Sequence, residues 1–360
     1  MLTTIDKERG CEPVAIPQPR QPRAPESLVT VGAKPVALWV LVSVLALVAS
    51  GLAVSRVKVL GFSLGLGLLA GPSDDAEVLS LPWELPYGKG MWMWQPEKSD
   101  GGDVETILTR AKEVGLTHIY VRTGSTWDGF YAGEWLDKLL PKAHAAGIRI
   151  YGWDFPRLID PAADVERGLA AIRYQTPGGH RLDGFAPDIE TQSEGTRISA
   201  EAAIAYADAL RAGAGVGYPL IACVPRPSPW TKSFFPYAEV VSRFDAVAPM
   251  VYWLNRQPGP DVQGAINHLR DLGKPVFPVG QAYDGAPEGG RRGVPPRAEL
   301  HSFMQTAHAE GAQGVSFWSW QAADQQAWDA IRDAGEFARP GPPAGPKAVL
   351  AVQPIVLEAG

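Results

Sequence analysis

The sequence feature that most constrains the fold is a repeating unit that begins near Gly88 and recurs eight times before Ala334. Each unit is about thirty residues long and joins a short apolar run, which predicts a strand, to a run with apolar residues at helical spacing, which predicts a helix. Val104, Ile107 and Val114 mark one such helical face. Eight strand–helix units over about 250 residues predict an α/β fold, a (β/α)8 TIM barrel. A doubly wound open sheet is the weaker interpretation.

The ends of the predicted helices also carry recognisable signals. Gly115 and Gly147 each lie just before a predicted strand, where a left-handed helix cap is expected. Asp160 followed by Pro161 is typical of a helix start. The eight predicted strands are Gly90–Trp94, Thr117–Arg122, Ile148–Trp153, Gly184–Glu190, Pro219–Val224, Ala246–Trp253, Pro275–Gly280 and Gly314–Trp320.

The chain before the repeat has a different character. Pro35 to Ser55 is an uncharged run of 21 residues, which is long enough to span a bilayer. Basic residues ahead of it favour a cytoplasmic N-terminus, so we expect a single-pass cell-membrane protein with its barrel outside the cytoplasm. A cleaved signal peptide, or a membrane hairpin that uses Val59 to Ala70, are the alternatives. The predicted segments are a cytoplasmic tail (1–34), a transmembrane signal anchor (35–58), a linker (59–87), the barrel (88–336) and a Pro/Ala-rich tail (337–360).

Composition and motif searches exclude several classes of function. The formal net charge is -6 and no basic cluster lies in the body of the chain, so no nucleic-acid partner is expected. The two cysteines, Cys11 and Cys223, cannot form a disulfide framework or a cysteine zinc site. The six histidines show no metal-ligand spacing, and the sequence contains neither a phosphate-binding loop nor a serine-hydrolase elbow. We therefore predict no metal and no cofactor.

The fourth predicted strand ends in two carboxylates, Asp188 and Glu190. Because side chains alternate along a strand, both are expected to point the same way. Two carboxylates in one low-dielectric site cannot both ionise freely, so one is pushed towards the protonated acid while the other stays charged. Glycoside hydrolysis needs that division of roles. The structural alternative is an ion pair with Arg122 or a capped strand end.

Aromatic residues gather at the predicted strand ends, where a TIM barrel has its active site. Aromatic rings stack on the apolar faces of sugars and indole N–H groups bond hydroxyls, so such a rim suits a carbohydrate. For any single tryptophan, packing between the barrel and the helices is an equally good explanation. The candidate substrate-binding residues at these ends are Trp94, Arg122, Trp153, Asp154, Trp253, Tyr283, Trp318 and Trp320.

The segment from Leu182 to Glu190 (LDGFAPDIE) resembles the fourth-strand motif of the family 18 glycoside hydrolases, which include chitinases. The resemblance covers the chain from about Gly88 to Ala334. On the fourth strand, Ala186 stands where the family has an inner Asp and Pro187 where it has an apolar residue. Elsewhere, Trp253 stands where Asp or Asn is usual, and Tyr151-Gly152-Trp153-Asp154 replaces the Ser-x-Gly-Gly of the third strand. Segments similar to the family's sixth, seventh and eighth strands are Met250-Val251-Tyr252, Gly280-Gln281-Ala282-Tyr283 and Gly314-Val315-Ser316-Phe317-Trp318.

The resemblance implies a glycosidase, retaining and substrate-assisted, that acts on an N-acetylhexosamine polysaccharide such as a chitin-like or peptidoglycan glycan. Glu190 is then the general acid, and Asp188 orients the N-acetyl group whose carbonyl oxygen serves as nucleophile. Tyr252 bonds the same group, Met250 lies in the substrate site and Trp318 floors it. Asp154 is the reserve candidate if a direct nucleophile or base is used.

Three other interpretations stay open, of which a barrel enzyme of other chemistry is disfavoured by the tryptophan rim and by the lack of phosphate and metal motifs. Family 25 lysozyme-like barrels also carry an Asp-x-Glu on a strand, so muramidase activity fits the same residues. The missing inner Asp at Ala186 favours a different class of function, a membrane-tethered barrel that binds cell-wall glycan without cutting it. Retention of both Asp188 and Glu190 favours the enzyme, since binding alone does not need an acid there.

Overall fold

The structure, a computed structural model, describes residues 84–335 and 337. The predicted cytoplasmic tail, the transmembrane anchor over 35–58 and most of the predicted linker and C-terminal tail lie outside these residues. Within the described part of the chain, no helix is both long and apolar enough to cross a membrane.

Strands alternate with helices from Gly88 onwards, as the repeat predicts. The barrel strands are β1 (Gly88–Met93), β2 (His118–Arg122), β3 (Arg149–Asp154), β4 (Gly184–Pro187), β5 (Ile221–Pro225), β6 (Ala246–Val251), β7 (Val279–Gln281) and β8 (Gly314–Trp318). The helices that follow them are α1 (Val104–Val114), α2 (Gly133–Ala145), α3 (Pro161–Arg173), α4 (Ala200–Ala214), α5 (Tyr237–Val241), α6 (Pro258–Arg270), α7 (Arg297–Ala309) and α8 (Gln325–Asp333).

The strands form one parallel sheet in the order β4-β3-β2-β1-β8-β7-β6-β5. Its two outer strands, β4 and β5, meet through isolated bridges between Phe185 and Leu220 and between Asp188 and Cys223. Ile189 N donates a hydrogen bond of 2.9 Å to Cys223 O across the same seam. The sheet therefore closes into the predicted (β/α)8 barrel, and the seam runs beside the acidic end of β4.

Local sequence accounts for where the helices begin and end. The Asp160 side chain accepts a hydrogen bond from Ala163 N at 3.2 Å, and Pro161 takes the first helical position of α3. Helix α1 ends at Gly115 with φ of 72°, a left-handed conformation that glycine adopts without strain. Both predicted helix signals are confirmed.

All eight predicted strands are present, but some end earlier than predicted. Strand β4 ends at Pro187 and β6 at Val251, so Glu190 and Tyr252 stand just beyond their strands. A two-stranded antiparallel hairpin, Gly124–Ser125 with Gly129–Phe130, follows β2 and is absent from the sequence prediction. Its strands are two residues long, too short for alternation to reveal them.

The side chains inside the barrel differ in size between its two halves. Strands β1 to β3 contribute large aromatic residues, whereas β4 to β6 contribute mostly small ones. Because small residues leave space above them, they make room for a cavity at the mouth of that half. The large residues are Trp92, Tyr120, Tyr151 and Trp153, and the small ones are Ala186, Cys223, Ala246 and Ala248.

Candidate active site

A cavity of about 530 Å³ opens where β4, β5 and β6 end. It brings together Glu190, Met250 and Tyr252, three residues that the sequence analysis places in the site. This volume and position are typical of a small-molecule site in a TIM barrel. Further lining residues that the sequence analysis missed come from the following loops and include Glu194, Arg226 and Glu288. Trp230, which the sequence places in the loop after the fifth strand, lines the cavity as well.

Glu190 lies in the wall of this cavity, just past the end of β4. Burial raises the pKa of its carboxyl well above the usual range, and the charges of Asp188, Glu194 and Glu288 raise it further. A backbone hydrogen bond from Thr191 opposes these effects without cancelling them. The side chain is therefore a proton donor at neutral pH, held at the edge of a space large enough for a sugar.

Asp188 lies beside Glu190, on the barrel seam. Burial raises its pKa to about 7, and the negative charge of Asp154 adds to this rise. A hydrogen bond with the Cys223 thiol and the positive charge of Arg122 both act to lower the pKa. Its Oδ1 atom is buried, and no described residue gives it a hydrogen bond. At neutral pH the two carboxyls thus share one proton, which Glu190 holds more strongly.

Arg122 interacts with its neighbours without pairing with either carboxylate. Its Nε donates to Gly124 O at 3.3 Å, and its guanidinium lies over the Trp153 ring at 5.4 Å from the centroid. In the described part of the chain no ion pair joins it to Asp188 or Glu190, so the first of the two structural alternatives for the carboxylate pair, an ion pair with Arg122, is not formed. Arg122 instead lines a second cavity of about 470 Å³ with Tyr131.

Tyr252 lines the cavity, and Tyr283 packs against it. Their rings meet edge to face with centroids 5.4 Å apart, and the Tyr283 hydroxyl donates to Glu288 Oε2 at 2.7 Å. Burial raises the pKa of Tyr252 far above the usual range, so its hydroxyl remains a proton-bearing donor at any physiological pH. Tyr252 can therefore donate a hydrogen bond to a ligand from a neutral hydroxyl, and the ring of Tyr283 packs against the ring of Tyr252.

The aromatic rings of β1, β3 and β8 pack into one cluster beside the site. Trp153 and Trp318 meet edge to face at 5.4 Å, and Trp92 contacts both rings. Trp153 is 3% exposed and its indole N–H donates to Met93 O at 3.1 Å, so it is a packing residue. Trp318, in contrast, is partly exposed.

Trp253 and Trp320 do not line the cavity that contains Glu190. Trp253 is fully buried, and its indole N–H donates to Glu299 Oε2 at 2.7 Å on α7. Alternation explains this position, because Tyr252 faces the cavity and its neighbour must face the helices. Trp320 is 3% exposed and donates to Asp100 Oδ2 at 3.0 Å. Their prediction as substrate-binding residues does not fit these contacts.

Asp154 is also removed from the cavity by alternation, since Trp153 faces the barrel interior. It is fully buried, and Arg167 from α3 donates to its Oδ2 at 2.7 Å. Arg167 in turn pairs with Asp164 at 2.8 Å. This ion-pair network holds β3 against α3, and Asp154 does not fit the reserve role of nucleophile or base.

Trp94 and Trp230 lie at the rim of the barrel mouth. Trp94 is 41% exposed, at the end of β1, and Trp230 is 60% exposed where it lines the cavity. The ring of Phe234 meets Trp230 edge to face at 4.8 Å, which steadies an otherwise exposed indole. Both offer ring faces for sugar stacking, although only Trp94 is among the predicted binding residues.

Metal ligands are lacking in the described residues, where no group of three or more His, Cys, Asp and Glu side chains could hold a metal ion. The chemistry that these residues support is proton transfer. A protonated Glu190 faces the cavity, Asp188 carries the partner charge, and Tyr252 supplies a neutral donor. An acid, an anion and a donor around a sugar-sized space suit the cleavage of a glycosidic bond.

Comparison with known proteins relates the fold to glycoside hydrolase barrels. No family model matches the sequence. A search of curated proteins found no match either. Among solved structures, the C-terminal domain of a putative chitinase from Desulfitobacterium hafniense is 11% identical over 69% of this chain and 99% of its own, with a TM-score of 0.52.

Two further structures extend this comparison. The endo-β-1,4-mannanase from Thermotoga petrophila is 12% identical over 69% of this chain and 76% of its own, with a TM-score of 0.53. The spore cortex-lytic enzyme SleL from Bacillus cereus is 12% identical over 68% of this chain and 73% of its own, with a TM-score of 0.50. At these identities the similarity shows a shared barrel fold, which chitinases and other glycoside hydrolases also have.

Proposed function

We propose that this protein is a glycoside hydrolase that cleaves a polysaccharide containing N-acetylhexosamine, with Glu190 as its general acid. The observation that carries the proposal is a carboxyl of raised pKa in the wall of a cavity that also presents Tyr252. The shared fold with chitinases and a cortex-lytic enzyme supports the same class of substrate.

In the proposed reaction, the glycosidic oxygen of the substrate faces Glu190. The carbonyl oxygen of the substrate's N-acetyl group attacks the anomeric carbon, while Glu190 gives its proton to the departing oxygen. Water then attacks the anomeric carbon and loses a proton to Glu190, which restores the acid and the N-acetyl group. The configuration at the anomeric carbon is retained because two displacements occur.

Asp188 and Tyr252 have positioning roles in this reaction. The Asp188 carboxylate accepts a hydrogen bond from the N–H of the N-acetyl group and stabilises the positive charge that develops there. The Tyr252 hydroxyl donates to the carbonyl oxygen of that group, and Trp318 and Trp230 stack on the sugar rings. The second carboxylate does not need to reach the anomeric carbon, which suits a pair two residues apart just past the end of one strand.

The test is hydrolysis by the full-length protein, with chito-oligosaccharides and peptidoglycan fragments as separate substrates and reducing ends as the readout. Glu190→Gln serves as the control. Release that depends on Glu190 supports the proposal and identifies the substrate class. Release that is equal in both proteins rejects Glu190 as the acid.

A non-catalytic glycan-binding barrel is the second candidate function. It is favoured by Ala186, a fully buried residue without a polar atom where the resembling family has an inner Asp. The same assay separates the two functions. Saturable binding of chito-oligosaccharide by both proteins, with no release from either, identifies the binding protein.

The predicted anchor gives the proposed enzyme a location. If Pro35 to Ser55 spans the cell membrane with the N-terminus inside, the barrel lies on the same side as an extracytoplasmic glycan. Protease added to intact cells is then expected to digest the barrel and to spare the N-terminal tail. A barrel that becomes accessible only after lysis contradicts this orientation.

A further inference from the structure

One of the two carboxylate oxygens of Asp188 lacks a hydrogen-bond partner among the described residues. This atom, Oδ1, is buried. Two residues earlier on the same face lies Ala186, which is fully buried within the interior cluster. Strand β4 therefore offers Asp188 no interior donor.

Cys223 faces Asp188 across the seam of the barrel. The two residues are bridge partners, and the hydrogen bond from Ile189 N to Cys223 O, 2.9 Å long, fixes their register. Cys223 belongs to the same interior cluster as Ala186 and is 2% exposed. Burial and the nearby charges of Asp188 and Glu190 raise the pKa of its thiol, so the thiol keeps its proton and remains a donor.

We propose that Cys223 is a positioning residue for Asp188, and that its thiol supplies the interior polar contact that Ala186 cannot give. The proposal rests on the proposed glycosidase function. The thiol stabilises the charged form of the Asp188 carboxylate and holds it towards the N-acetyl group, while Glu190 keeps the shared proton. Cys223 itself touches neither the substrate nor the reacting atoms.

Other charged groups also shift the pKa of Asp188. Arg122 and Cys223 favour the charged form of Asp188, whereas Asp154 and Glu194 oppose it. Removing the thiol leaves Arg122 as the main favourable group, so the pKa of Asp188 rises. The groups around the carboxylate pair are Arg122 from β2, Asp154 from β3, Glu190 and Glu194 after β4, Cys223 from β5, and Tyr252 and Glu288 after β6 and β7.

The first test is the pH profile of kcat for the full-length protein and two variants. Asp188 has to be ionised in the reaction, so its pKa sets the acid limb of the profile. Cys223→Ala removes the donor and is expected to move that limb to higher pH by about 0.5 to 1 unit. Cys223→Ser keeps a donor and should keep the limb of the wild type. An unmoved limb in Cys223→Ala overturns the proposal, because a purely structural role of Cys223 would change the rate without moving the limb.

The second test does not depend on activity. In a full-length Cys11→Ser background, Cys223 is the one remaining thiol, and its S–H stretching band can be followed by infrared spectroscopy. Asp188→Asn replaces the charged acceptor, so the band is expected to move to higher frequency. A band that does not respond overturns the contact even in an active enzyme. A responsive band in a protein that hydrolyses nothing keeps the contact and rejects the glycosidase function.

Discussion

Buried carboxylates occur in two neighbouring parts of this barrel, and the groups that face them differ. On the helix side of β3, Asp154 is paired with Arg167 at 2.7 Å, and Arg167 is also paired with Asp164. At the end of β4, Glu190 lines the cavity with Asp188 two residues before it, and no described cation forms an ion pair with either. The charge of Asp154 is therefore balanced by Arg167, whereas the carboxyls at the end of β4 are neutralised by protonation.

The comparison shows that burial alone does not separate a structural carboxylate from a chemical one. Burial raises the pKa of Asp154 to about 6 even though Arg167 opposes the rise, and it raises the pKa of Asp188 to about 7. The two carboxylates differ in whether a cation pairs with them. The Arg167 network holds β3 and α3 together. The carboxylates at the end of β4 instead lie beside a cavity without an ion-pair partner, which is typical of functional sites.

The largest expected effect comes from Glu190→Gln. The variant loses its proton donor, so hydrolysis is expected to fall about a thousandfold, while the urea midpoint of unfolding stays close to that of the wild type. The fold is spared because an amide replaces a carboxyl that is already protonated at neutral pH. Glu166→Gln, the same substitution on the exposed face of α3, should change neither quantity. Full activity in Glu190→Gln removes this residue from the reaction.

Arg167→Met tests the other half of the comparison. The substitution leaves Asp154 and Asp164 buried without their cation, and we expect it to lower the free energy of unfolding by about 3 kcal/mol at pH 7. Urea unfolding followed by tryptophan fluorescence measures this change. The loss should shrink when Asp154→Asn is added, since one of the two orphaned charges is then removed. If the single variant unfolds like the wild type, the network is not structural.

Asp188→Asn is expected to act in the opposite direction on stability. Because the folded state raises the pKa of Asp188 from 3.8 to about 7, the folded protein loses stability as the pH rises through that range. The neutral amide removes this loss and should stabilise the fold by about 1 to 3 kcal/mol at pH 8, with no gain at pH 4. Urea midpoints at the two pH values measure the difference. Equal midpoints for the wild type and Asp188→Asn at pH 8 would show that the buried Asp188 charge does not destabilise the fold.

Sequence reasoning predicted most of the fold because the signals it uses are local. Apolar periodicity marked all eight strands, and Asp160 and Gly115 marked helix ends through contacts within a few residues of themselves. Glu190 and Tyr252 were predicted for the same site, and they line one cavity. In a TIM barrel that follows from topology, because parallel strands all end on one face.

The remaining parts of the site depend on contacts between distant segments. Trp253 and Asp154 were predicted because they lie at strand ends, although their neighbours Tyr252 and Trp153 already occupy the interior side and alternation excludes both. The pairing of Cys223 with Asp188 depends on the stagger with which β4 and β5 close the barrel, which no local pattern reports. Glu288 reaches the cavity through the path of a loop, which lacks periodicity altogether.

The smallest expected effect separates a ring that faces ligand from one that faces the core. Trp318→Ala removes the partly exposed ring at the end of β8, and we expect KM for chito-oligosaccharide to rise roughly tenfold, equivalent to about 1.4 kcal/mol of binding, with a smaller change in kcat. Trp253→Phe is the matched control. It removes the indole bond to Glu299 and should lower the urea midpoint while leaving KM unchanged, because that ring faces α7. The opposite pattern, with KM altered in Trp253→Phe and not in Trp318→Ala, would contradict the assignment of Trp318 to the sugar site.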